Sequence, residues 1–389
     1  MAEALRIALV GCGGMMGSHL NNGFAPLWEA GYRGFEIVAC CDTVRESAAK
    51  MAEDIGQWQG RTPNVHEDVT ALLEGEKDLD AADISVVHRH HHTVAVPLLE
   101  AGKRVLIEKP LAFTLRAGKH MLDAAERSGV LLAVAENYRR SPVNRTVNWV
   151  IRSGRIGAPR QVYWMDVKDR PWYWGWRDHL DQAGGGWVLD GGVHFADLMR
   201  YHLGPVTRVT ALSRQYDPTR YRDRKNMQDP VQATIEDTTL ALLEFANGVT
   251  GVWAESIVSP GHRFGRQIIY GDRGSLDLGE GVLLRGEEEV TPLDALREAY
   301  LEQLSADERD RLFPLGRRHG VAQEIHEFVE ACLHGSAVET DGLEGYRAQA
   351  VCMAVYESAA LGGVPVEIEK VERLDVEAYQ GPLNESVGL

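Results

Sequence analysis

The apolar run Leu5–Val10 leads straight into Gly11-Cys12-Gly13-Gly14-Met15-Met16-Gly17, and a helix-like stretch follows. Few folds accept a buried strand, a glycine-rich turn and a helix in that order. The glycines permit a tight turn and let the backbone approach a pyrophosphate, which rests on the helix N-terminus. The spacing departs from G-x-G-x-x-G, because Met16 holds the third glycine position and Gly17 comes one residue later. A plain tight turn would use the same glycines. The context favours dinucleotide binding instead, with Gly11, Gly13, Gly14, Met15 and Met16 lining the turn and an acid closing the next strand. That acid is Asp42, after the run Phe35–Cys41. A carboxylate there accepts the adenosine ribose hydroxyls and repels a 2′-phosphate, so NAD is expected over NADP. Arg45 lies close enough to meet such a phosphate, and Asp42 could also cap the helix starting near Val44.

The first third continues to alternate. Apolar runs at Asp83–Val87, Arg104–Ile107 and Val130–Val134 are separated by the helix-like stretches Val44–Asp54, Thr93–Ala101 and Thr114–Ser128. This pattern predicts βαβ units and a parallel sheet buried on both faces. Beyond Asn137 the pattern changes. A helix is predicted over Pro142–Ser153, then alternating strands at Gln161–Val167, Thr207–Arg214, Thr238–Phe245, Thr250–Ser256 and Gln267–Tyr270, with Asn247-Gly248 as a hairpin turn. The expected fold class is α/β: a Rossmann dinucleotide-binding domain over residues 1–137, then an α+β domain with an open, largely antiparallel sheet over 138–389. Residues 216–229 and 287–318 read as insertions. Two amphipathic helices are predicted near Val321–Leu333 and Gly345–Leu361, and a tail from about Leu374.

The chain's 389 residues suffice for two or three domains. Acidic residues number 57 against 41 basic ones, giving a net charge of −16, which argues against nucleic acid or an anionic membrane as partner. Five cysteines without a C-x-x-C pair read as reduced thiols, and no apolar run reaches membrane-spanning length. The expected location is the cytoplasm.

Three further segments carry chemistry. Glu108-Lys109-Pro110 stands at the carboxyl end of a strand, where ligands of open α/β sheets bind, and its X-Pro bond could be cis. Asp190 and His194 are one helical turn apart after Gly184-Gly185-Gly186, so the carboxylate can orient and tune an imidazole suited to proton transfer. The segment Arg170-Pro171-Trp172-Tyr173-Trp174-Gly175-Trp176-Arg177 is dense in aromatics that can stack on sugar C–H surfaces. Packing of a long loop would also explain it. His88-Arg89-His90-His91-His92 tempts a metal reading, but adjacent histidines diverge and no carboxylate or cysteine completes a familiar spacing. No metal is expected, and one or two of these histidines, His88 or His91, are expected to meet the cofactor or the substrate.

Together these motifs resemble the Gfo/Idh/MocA oxidoreductase family, densely from Leu5 to about Gly204 and more weakly to Val366. The resemblance implies NAD or NADP as cofactor, hydroxyls of sugars and cyclitols as substrates, and a homodimer or homotetramer. Carried over by motif, Lys109, Asp190 and His194 are catalytic. Glu108, Lys109 and Asn137 lie at the cofactor. Arg139 joins Lys109, Asp190, His194, Trp172, Trp174, Trp176 and Arg177 at the substrate. In the loop before His91, Val86 and Val87 stand where the family usually has Thr-Pro. The implied reaction has His194 take a hydroxyl proton while Lys109 stabilises the same oxygen, in a cleft between the domains. The alternatives are an NAD-dependent glycosidase, in which oxidation is transient, and a non-catalytic NAD-binding regulator.

Overall fold

The computed structural model describes residues 4–389. The chain forms two compact units, each assembled from two segments. Residues 1–141 and 306–346 make the first, and residues 142–305 and 347–389 the second. The return of residues 306–346 to the first unit was not foreseen in the sequence division at residue 137.

The first unit is built on six parallel strands: β1 (Leu5–Val10), β2 (Phe35–Cys41), β3 (Asn64–His66), β4 (Ala81–Ile84), β5 (Arg104–Glu108) and β6 (Leu132–Ala135). Their order, β3-β2-β1-β4-β5-β6, is the doubly wound arrangement. Ile7, Leu9, Ile37 and Leu106 are buried on these strands beside Phe24, Leu27 and Phe35. Each such side chain contributes about 1.5–3 kcal/mol by leaving water. The helix Gly320–His334 closes this core from far along the chain, through Val321, Ile325 and Phe328. It packs so closely on Gly23 that a β-carbon there would collide with Ile325 and lie 3.1 Å from Val321. The helix opening at Gly14 widens to a π turn over Leu20–Phe24. Pro26 two residues on has no N–H to close an α-type bond.

The second unit carries a nine-stranded sheet: β7 (Pro159–Val167), β8 (Val206–Arg214), β11 (Thr238–Phe245), β12 (Thr250–Ser256), β13 (Phe264–Gly271), β14 (Gly274–Asp277), β15 (Gly281–Leu284), β16 (Thr291–Pro292) and β17 (Val366–Glu367). The order is β16-β15-β14-β13-β7-β12-β11-β8-β17. Only the β7–β12 pair is parallel, and all others are antiparallel. The hairpin at Asn247-Gly248 is present, with Gly248 at φ 87°.

Within and just beyond residues 216–229, β9 (Thr219–Asp223) and β10 (Gln228–Gln232) form an antiparallel hairpin. One expectation is corrected. The residues after Leu374 are not a loose tail. Tyr379 stacks on Tyr356 at 4.5 Å, the helix Gln380–Ser386 buries Leu383 and Asn384, and the Glu357 carboxylate accepts the backbone N–H groups of Tyr379 and Gln380.

Candidate active site

In the first unit the glycine turn is shaped by its neighbours. Gly11 adopts φ 86°, and a β-carbon there would run into the Ser85 carbonyl and sit 2.8 Å from Val86 Cγ1. Gly13 and Gly14 face the opposite condition, with no atom within 4 Å of where a β-carbon would stand. The turn is therefore closed on the protein side and open on the other. The helix beginning at Gly14 carries Met15 and Met16 in its first turn, Met16 fully buried and Met15 partly exposed. Open backbone at a helix N-terminus is what a pyrophosphate requires.

Asp42 braces this turn. Its Oδ2 accepts the Cys12 N–H at 2.7 Å and its Oδ1 accepts the Val44 N–H at 2.8 Å. The helix Arg45–Gln59 starts one residue beyond, so Asp42 fixes the approach to that helix and does not cap its first turn. Two acceptor sites remain on the carboxylate for ribose hydroxyls. Arg45, in contrast, pairs with Glu67 at 2.8 Å on the exposed surface.

At the end of β5 the Lys109–Pro110 peptide is cis. Glu108 is buried; its Oε2 accepts the Lys109 N–H at 3.0 Å and its Oε1 faces His19 Nε2 at 3.0 Å. His19 Nδ1 meets Asp83 Oδ2 at 2.7 Å. His19 was not singled out from sequence. It sits two residues after Gly17 in a helix, and only the fold brings β4 and β5 around it.

The histidine run is divided by its surroundings. His91 is fully buried, with Nδ1 against the Leu111 carbonyl at 3.1 Å and Nε2 against the Val86 carbonyl at 3.2 Å. With one N–H, the neutral ring donates to one of these two carbonyls. Burial lowers its pKa, and burial with the neighbouring His120 lowers that of His92 to about 4, so both stay neutral. His88 is buried with its ring 5.5 Å from that of His91. Asn137 lies after β6, its carbonyl close against Gly320. Arg139 is buried, donates to the Glu339 carbonyl at 3.1 Å and lies 4.0 Å from Glu344. It thus fastens the returning segment of its own unit.

In the second unit Asp190 ends the short helix Trp187–Asp190 and His194 lies in the first turn of Gly192–Leu203. Gly191 between them keeps helical angles, φ −94° and ψ −39°, so the two side chains stand one turn apart. Both are buried. Asp190 Oδ1 accepts Arg177 Nε at 3.3 Å. Close packing explains the glycine at 192, where a β-carbon would lie 2.6 Å from Trp253 and 3.3 Å from Glu255 Oε1.

The aromatic segment is an arginine–tryptophan stack. Trp174 lies over Trp187 at 5.7 Å, with Arg170 and Arg177 at 4.8 and 5.1 Å from its ring. Arg177 also covers Trp176 at 4.4 Å. Arg170 is buried against Asp178 at 3.0 Å, and Asp178 also accepts the Trp174 N–H. Trp172 is held by the unexpected hairpin: it bridges to Tyr221, and Arg224 covers its ring at 3.9 Å.

Two groups beside this segment were missed from sequence. Lys168 lies 4.1 Å over Trp187 and 2.5 Å from Asp166, and the next strand carries Glu255 directly opposite Asp166. Burial pushes the Glu255 carboxyl well above its ordinary range. Glu236 accepts the Gly186 N–H at 2.7 Å and the Tyr356 hydroxyl at 2.7 Å, and burial pushes its pKa up to about 7. It therefore anchors the glycine run that leads into Asp190.

The doubly wound parallel sheet and its open glycine turn are those of a dinucleotide-binding unit, and comparison with known proteins makes the class specific. Residues 5–136 match the description "Oxidoreductase family, NAD-binding Rossmann fold", and residues 150–368 match "Oxidoreductase family, C-terminal alpha/beta domain". The chain belongs to the Gfo/Idh/MocA oxidoreductase family. Its cofactor is NAD, which the open cradle at Gly13 and Gly14 fits. It is 27% identical to the 1,5-anhydro-D-fructose reductase of Ensifer adhaerens over 85% of this chain and 90% of that one. It is 28% identical to the D-apiose dehydrogenase of Paraburkholderia graminis over 94% of this chain and 90% of that one. A solved levoglucosan dehydrogenase in complex with NADH and L-sorbose shares the fold, with a TM-score of 0.76 and 23% identity over 94% of this chain and 99% of that chain. Among the described residues no helix is long and apolar enough to cross a membrane.

Proposed function

We propose that the protein oxidises a secondary hydroxyl of a sugar, sugar derivative or cyclitol with NAD, or reduces the matching ketone. The observation that carries this reading is the buried Asp190–His194 pair beside the Arg–Trp stack. His194 takes the hydroxyl proton. Asp190, steered by Arg177, orients the imidazole. Lys109 donates to the same oxygen and stabilises its growing negative charge. Bound NAD supplies the acceptor for the hydride that leaves the carbon. Trp174 and Trp176 offer flat faces to the C–H surface of the ring, and Arg177 offers N–H groups to its hydroxyls. The matched relatives, a sugar reductase and a sugar dehydrogenase by name, support a polyhydroxylated substrate.

The NAD preference over NADP rests on Asp42. The exposed apolar pair Leu212 and Leu240, directly opposite each other on the sheet with Leu242 alongside, favours association of copies into a homodimer or homotetramer. The experiment is a panel of sugars, cyclitols and glycosides incubated with NAD, following NADH and released product together. Stoichiometric NADH and ketone are expected. Release of an aglycone without NADH accumulation would replace this reading by a redox-neutral glycosidase.

A further inference from the structure

His19 is fully buried, and both its ring nitrogens point at carboxylate oxygens. A neutral imidazole has one donor and one acceptor, so it would set a lone pair against one of these oxygens. Only the doubly protonated ring satisfies Asp83 and Glu108 together. Asp83 reinforces the point, because its other oxygen, Oδ1, is buried without a hydrogen bond, leaving His19 as its hydrogen-bond partner in the protein. Burial opposes a charge on His19, but the two carboxylates outweigh it and raise the pKa well above the ordinary value. A third acid, Glu324 on the helix Gly320–His334, interacts with His19 through space. Burial drives it toward the protonated state, so it adds little negative charge.

The chain of contacts runs in one direction. Asp83 on β4 holds His19, His19 holds Glu108 Oε1 at 3.0 Å, and Glu108 Oε2 holds the Lys109 N–H at 3.0 Å. A carboxylate free to rotate at this point would release the backbone from which Lys109 projects. We infer that His19 is a positioning residue for Lys109: clamped between Asp83 and Glu108, it fixes the Glu108 carboxylate and through it the Lys109 main chain. The inference rests on the proposed role of Lys109 in polarising the substrate oxygen.

The test is a double-mutant cycle on the full-length protein. His19→Gln keeps an amide NH2 group that can donate to Glu108, and His19→Leu keeps no donor. Loss of a positioning contact is expected to lower kcat by up to about 10²-fold in His19→Leu, with His19→Gln in between. KM for NAD should stay within about twofold, measured beside direct NADH binding, which also reports that the variant is folded. In a Lys109→Ala background, His19→Gln should cost no further activity, since its effect is transmitted through Lys109. If His19→Leu does not fold, His19→Gln and the cycle decide alone. A His19→Gln loss that multiplies fully with that of Lys109→Ala would overturn the inference and leave the Lys109 reading standing. A fully active Lys109→Ala enzyme would overturn both.

Discussion

The two units each bury a proton-binding centre, and they do so by opposite means. In the first, His19 is charged because two carboxylates overcome the cost of burying it. In the second, burial alone raises the pKa of Glu236 to about 7, despite hydrogen bonds from Tyr356, Gly186 and Val188. Both groups hold a proton more tightly in the folded chain than in the unfolded one, so each contributes stability that is lost as pH rises. The windows differ. For Glu236 the loss runs from the ordinary value of 4.5 to about 7. For His19 it begins above 6.5 and extends to its raised value. The nucleotide-binding unit thus rests on a charge that survives neutral pH, while the unit bearing Asp190 and His194 hangs its glycine run on a carboxyl that titrates near neutrality.

The largest expected effect separates chemistry from cofactor binding. His194→Ala should lose about 10²- to 10⁴-fold in kcat, the usual weight of a general base, while NADH titration shows unchanged affinity. Loss of cofactor affinity in step with turnover would break the division of labour between the units. The second effect is on stability. Charging buried Glu236 costs on the order of 3 kcal/mol above about pH 7, from the shift in its pKa. Glu236→Gln should therefore raise Tm by several degrees at about pH 8 and leave it nearly unchanged at about pH 4, read by thermal melts. Equal shifts at both pH values would mean that packing, not ionisation, governs the site.

Smaller effects sharpen the contrast. Asp42→Ser should weaken NAD by about 1–2 kcal/mol and narrow its advantage over NADP, through lost ribose hydrogen bonds and a loosened Cys12 N–H. Titration with both nucleotides checks this. Trp174→Ala should lower kcat/KM for the sugar by about 1 kcal/mol with NAD affinity unchanged, since the lost contact is one stacking face. Steady-state kinetics with each substrate varied will show whether the loop binds substrate or only packs.

The nucleotide-binding unit was legible because its signals are local. β1 and β2 fall where the apolar runs Leu5–Val10 and Phe35–Cys41 place them, and the glycine turn and Asp42 are read within a few residues. What stayed hidden is non-local. The short strand Asn64–His66 has too few residues for a pattern, and helix Gly320–His334 serves a core assembled mostly from residues 5–135. His19, Asp83 and Glu108 stand 64 and 89 positions apart along the chain, so no spacing rule links them. In the second unit Asp190 and His194 were visible at helical spacing, but Glu236 reaches Gly186, and Lys168 reaches Trp187, from segments distant along the chain. The hairpin at residues 219–232 was obscured by its charged, proline-containing composition, which looks like surface loop until Arg224 is seen over Trp172.

The central claim is that a substrate hydroxyl carbon gives its hydride to NAD and the product leaves oxidised. The direct measurement uses a sugar or cyclitol substrate from the panel, deuterated at the carbon bearing the reacting hydroxyl, with analysis of both products by mass spectrometry. The account predicts deuterium in the reduced nicotinamide, equimolar with a ketone that has lost it. Deuterium retained in the carbohydrate product, with no net reduced nicotinamide, would contradict it.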